Sequence, residues 1–167
     1  MNKLIPIFLA VIAIISFSSC GDDKDNMMDL AKKYIAANYP ADCKIEITET
    51  TEPDPTFGIM YLTEDEMMRA SQQINKVTTY IMEKTKNMTD YNPSDGKMAF
   101  LASKQMKAAA EMNEVMAHSQ DKGQFNGWKM RANYKVKYKN GERKVEQWLF
   151  FDKGGDVIYN SFTIHLP

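Results

Sequence analysis

Residues 128–166 read WKMRANYKVKYKNGERKVEQWLFFDKGGDVIYNSFTIHL, and their alternation decides the fold. Trp128, Met130, Ala132, Tyr134, Val136 and Tyr138 alternate without interruption against Lys129, Arg131, Asn133, Lys135, Lys137 and Lys139. A period of two belongs to a strand with one face on a core, because successive side chains point to opposite sides. Asn140-Gly141 is the preferred pair for a two-residue hairpin loop, in which both positions need positive φ. With that pair in the loop, Val136 lies opposite Val145 and Ala132 opposite Leu149. Apolar side chains meet apolar ones, so the register supports itself. An even-length second turn at Asp152-Lys153-Gly154-Gly155 then sets Leu149 opposite Ile158 and Val145 opposite Phe162. A three-stranded antiparallel meander is expected.

The chain before the meander reads mainly as helices. Thr63-Glu64-Asp65-Glu66 is a capping box, and Met67, Ala70, Ile74, Val77 and Ile81 recur behind it at helical spacing. Asn92-Pro93 stops that helix. Another starts at Ser94 or Asp95, with Met98, Leu101, Ala102, Ala108, Ala109, Met112, Val115 and Met116 inward, and Gly123 closes it. A first helix is expected from Asp25 or Asn26 to Pro40, with Met27, Leu30, Ala31, Tyr34 and Asn38 on one face. Cys43 to Thr51 and Phe57 to Leu62 read as strands, with Pro53-Asp54-Pro55 as the break between them. The expected class is α+β: helices packed on one face of a curved antiparallel sheet ending in the meander, with residues 27–167 as one domain. This order of elements resembles the cystatin-like and nuclear-transport-factor-2-like folds, in which a curved sheet wraps a helix and can leave a conical pocket. The stretch from Met98 to Leu166 is also similar to a PepSY-type or β-lactamase-inhibitor-like unit. Such families range from enzymes to inhibitors, so the resemblance implies architecture and no activity.

The first 19 residues carry an address. Lys3 supplies a positive start, and Leu4 to Phe17 is an apolar run too short to span a bilayer, which takes about 20 residues. Phe17-Ser18-Ser19-Cys20 resembles the bacterial lipobox, with Phe17 where an aliphatic residue is usual. Gly21-Asp22-Asp23-Lys24-Asp25 is similar to the acidic tether of a Bacteroidota lipoprotein. The resemblance implies a signal peptide over residues 1–19, a lipid on Cys20, a tether over 20–26, and a membrane partner through that lipid. The expected location is the bacterial outer membrane or cell surface, with a periplasm-facing anchor as the alternative. With Cys20 lipidated, Cys43 has no disulfide partner.

The whole chain has 167 residues, 21 basic and 22 acidic side chains, and a formal charge of −1. That length suits one core, and the balance gives no reason to expect a nucleic-acid partner. The lysines of the alternating strand read as protection against edge-to-edge aggregation.

Two groups of side chains stand out. In the expected register Tyr134, Gln147 and Asn160 form one polar row on the core face, a candidate ligand-binding set. Each needs a partner, since an unpaired buried polar group costs about 1–3 kcal/mol. On the opposite face Trp148, Phe150, Val157 and Tyr159 gather beside Arg131, a candidate interaction surface for a protein, a glycan or a second copy. Coverage by the first helix or by the Pro53-Asp54-Pro55 loop is the alternative. Met112 and Met116 lie near His118, but core filling explains their spacing. No nucleophile elbow, phosphate loop, metal spacing or cofactor motif is present, so no catalytic residue, metal or cofactor is expected. The expected function is a non-enzymatic binding module. The alternatives are a small-ligand pocket protein, a ketosteroid-isomerase-like enzyme and an inhibitory module.

Overall fold

The computed structural model describes residues 23–120 and 122–167. The signal, the lipobox and Cys20 lie outside them. The chain is α+β, and its alternating stretch forms β3 (Phe125–Tyr138), β4 (Gly141–Phe151) and β5 (Ile158–Leu166), adjacent and antiparallel. β1 (Lys44–Thr50) and β2 (Asp54–Phe57) pair successively along the free edge of β3, completing a curved, open sheet. β2 is therefore not the expected Phe57–Leu62 strand. It contains Pro55, which an edge strand tolerates because no ladder N–H is required there.

Both hairpin registers differ from the expected ones. The first loop is Lys139-Asn140, with Tyr138 paired to Gly141, Tyr134 to Val145 and Ala132 to Gln147. Positive φ falls on Gly141 alone (+146°), so a loop with two such residues is not formed. The offset is two residues, so every side chain keeps its face. The second hairpin changes more. Phe151 pairs with Ile158 but Phe150 with Asn160, leaving Tyr159 as the extra residue of a bulge. The bulge flips the alternation, and Phe162 and Ile164 turn to the same side as Trp148 and Phe150.

That side is a core, not a surface. α2 (Glu64–Lys84) begins at the expected capping box and buries Ala70, Ile74, Val77 and Ile81. α3 (Gly96–Ser119), capped by Asp95, buries Leu101, Ala108, Met112 and Val115. Their hairpin lies on Trp148, Phe150, Phe162 and Ile164. α3 ends before Gly123, and Met116 is exposed. The other face is covered by α1, the helix over residues 23–37. Met27, Ala31 and Ile35 of α1 pack on Met130, Val136, Leu149 and Phe151. A shift of two apolar stripes to opposite faces of one sheet follows from the sheet itself, which is apolar on both faces at β4 and β5.

Candidate functional site

Two of the three polar row residues meet. Tyr134 donates to Gln147 Oε1 at 2.8 Å, diagonally across β3 and β4, and the Tyr39 and Tyr134 hydroxyls are 3.1 Å apart, which leaves Tyr39 as donor. Burial and the neighbouring Tyr39 hold the Tyr134 hydroxyl well above the usual phenol range, and burial raises Tyr39 as well. Both stay protonated near neutral pH and serve as fixed dipoles rather than as acid or base. Asn160 is not part of the row. The bulge at Tyr159 turns it to the other face, where its amide approaches Met60 Sδ at 2.9 Å.

Tyr134 and Gln147 form the floor of a cleft of about 480 Å³ at the β5 end of the sheet. Such a volume is in the range that takes small ligands. Tyr34 from α1 and Tyr39 from the bend that follows it close one side, where Tyr34 Oη and Ser161 Oγ are 3.2 Å apart. α3 packs along β5 and supplies Phe100, Lys104 and Lys107 on the other side. Arg143 and His165 complete the wall. The Arg143 guanidinium lies over the Phe100 ring at 3.8 Å and the Tyr138 ring at 4.8 Å, both cation–π distances. His165 packs edge-on against Phe100, with ring centroids 5.2 Å apart.

The electrostatics of this cleft are one-sided. Lys107 pairs with Glu111 at 3.4 Å, but neither Lys104 nor Arg143 makes an ion pair among the described residues. Burial pushes the His165 imidazole down to about 4, and the charges of Lys104, Arg143 and Lys107 add to that effect. The ring is therefore neutral near pH 7. Its Nδ1 is buried and has no hydrogen-bond partner among the described residues. A carboxylate or phosphate group in the cleft would face two cations that no carboxylate neutralises, Lys104 and Arg143.

The expected outer surface has a different role. Trp148 is 3% exposed, Phe150 0% and Arg131 4%, because the α2–α3 hairpin covers them. Val157 (56%) and Tyr159 (39%) remain exposed, and Tyr159 donates to Ile59 O at 2.9 Å. The aromatic surface is thus divided into a core and two isolated exposed side chains. Cys43 is free and half-buried. His/Cys/Asp/Glu groups able to hold a metal are absent among the described residues, as are helices long and apolar enough to cross a membrane.

Tyr39, Lys104, Arg143 and His165 were not marked by sequence reasoning. One signal for Arg143 was present, since it shares the parity of Val145 and Gln147 and so faces the core side of β4. His165 has no such signal, because the bulge reverses its parity.

No protein-family model matches the chain, and neither a curated protein nor a solved structure matches it.

Proposed function

We propose that this chain is a lipid-anchored protein of the bacterial cell envelope whose domain binds a small anionic ligand in the cleft between α1, α3 and the sheet, without transforming it. The observation that carries this reading is the meeting of Lys104 and Arg143, neither paired with a carboxylate among the described residues, beside His165 at one wall of the cleft. Tyr134 and Gln147 contribute a rigid polar floor, already hydrogen-bonded, which positions a ligand at little reorganisation cost. A hydrolytic or isomerising reaction needs a base poised near neutral pH, and burial tunes Tyr39, Tyr134 and His165 of this cleft away from it.

The ring of His165 reports occupancy. A bound anion favours the imidazolium, so millimolar acetate or inorganic phosphate is expected to raise the His165 titration midpoint from about 4 by a unit or more, followed by NMR of the ring protons. Lys104→Gln should reduce the anion-dependent shift. A midpoint indifferent to both anions would sink the reading.

The anchor rests on Phe17-Ser18-Ser19-Cys20 and the acidic stretch that follows. Cys20→Ala is expected to abolish incorporation of labelled fatty acid and to release the chain from the membrane fraction. Retention of label and of membrane association would refute lipidation at that residue.

A further inference from the structure

A second cavity, of about 410 Å³, lies directly behind the wall of the first. The two share Phe100, Tyr138, Arg143 and His165. Beyond that wall the lining becomes more apolar, with Leu101, Leu166 and Pro167 joining Phe100, while Lys97, Asn140 and Glu142 stand around them. The Arg143 guanidinium lies over both the Phe100 and Tyr138 rings, and these three side chains with His165 line both spaces. Arg143 is held there by aromatic faces and by no carboxylate among the described residues, so it can shift along the rings without breaking an ion pair.

Resting on the anion-binding reading above, we infer that the ligand is an elongated amphipathic carboxylate, its head among Lys104, His165 and Arg143 and its apolar chain in the second cavity. A compact anion would use the first cleft and leave the apolar lining of the second in water. A chain leaving the head past the Phe100 ring covers Leu101 and Leu166 instead. The head meets the cations in the polar cleft and the tail follows the apolar side of the same wall, so one molecule satisfies both. Arg143 lies at the junction, where its charge faces the carboxylate and its stacked plane flanks the first methylenes.

Chain length is the discriminating variable. Titration of the full chain with sodium butanoate, hexanoate and octanoate, followed at the His165 ring with His118 as internal reference, is expected to show affinity rising about fourfold per added methylene. Leu166→Asp should weaken octanoate by about tenfold or more and flatten the rise of affinity with chain length. Equal affinity across the series, or tighter binding of glucuronate than of octanoate, overturns the amphipathic ligand while leaving an anion site in place. Absence of any His165 response to all of these anions overturns the anion-binding reading itself. The series on the unmodified chain decides the matter even where Leu166→Asp does not fold.

Discussion

Truncating Phe150 or Trp148 to alanine is expected to lower the unfolding free energy by about 3–5 kcal/mol, read as a shift of the urea midpoint at unchanged slope. Phe150 is wholly buried where β4 meets the α2–α3 hairpin, in the cluster that also holds Val77, Leu101, Phe162 and Ile164. Alanine there removes a ring and leaves a cavity between two layers that are each fixed by their own hydrogen bonds, so collapse is only partial. Trp148 adds a polar loss, because its Nε1 donates to Glu146 Oε1 at 3.3 Å. Against a typical domain stability of about 5–15 kcal/mol, either change removes a large share. Tyr159→Ala, on the same face of the expected sheet, is the control. It is part-exposed at a bulge and should cost about 1 kcal/mol, mostly the hydroxyl bond to Ile59 O. Equal effects at Phe150 and Tyr159 would show that α2 and α3 do not cover this face.

The contrast between those two positions also marks how far the sequence could be read. The meander was legible because β3 alternates without interruption, and alternation is a direct record of which side of a strand is dry. Its pairing was less so. An offset of two residues between β3 and β4 preserves every face, so periodicity is blind to it, and only the φ of Gly141 distinguishes the two loops. The bulge at Tyr159 leaves no residue signature, yet it decides that Phe162 and Ile164 face α2 and α3 and that Asn160 leaves the polar row. A different signal was available and misleading. Arg131 and Glu146 on the second face resemble the polar half of a solvated strand, although Trp148 and Phe150 beside them need cover. The apolar stripes of α2 and α3 required a surface of their own, and that requirement points to the second face. The cleft was partly legible, in Tyr134 and Gln147 on one side of neighbouring strands. Lys104 reaches it only through the packing of α3 along β5, a tertiary fact that local pattern does not contain.

The charges buried on that second face should give the other large effect. Glu146 is 1% exposed, and its Oε2 lies 3.6 Å from Arg131 Nη1 and 3.9 Å from Arg69 Nε. Arg131 reaches outward through Nη2 to Glu49 Oε1 at 2.6 Å, while Lys129, also 1% exposed, pairs with Glu66 and with Asp54 at 3.8 Å. Lys129 thus has two carboxylates nearer solvent, whereas Arg131 has one nearer solvent and a second beneath α2. Glu146→Ala removes the inner anion and leaves Arg131 in an apolar setting with Glu49 alone, which is half-exposed and screened. Stability should fall by about 3–5 kcal/mol, the usual result of stranding one partner of a buried pair. Glu146→Gln keeps the shape and the Trp148 contact but not the charge, and should retain part of the loss. The informative variant is the double replacement Arg131→Leu with Glu146→Leu. Removing both charges also removes both desolvation penalties, so the double variant is expected to be more stable than Glu146→Ala and near the parent chain. A double-mutant cycle in urea measures this coupling. Additive losses would mean that Arg131 and Glu146 do not act as a pair, and that the ion network merely tolerates burial beneath α2.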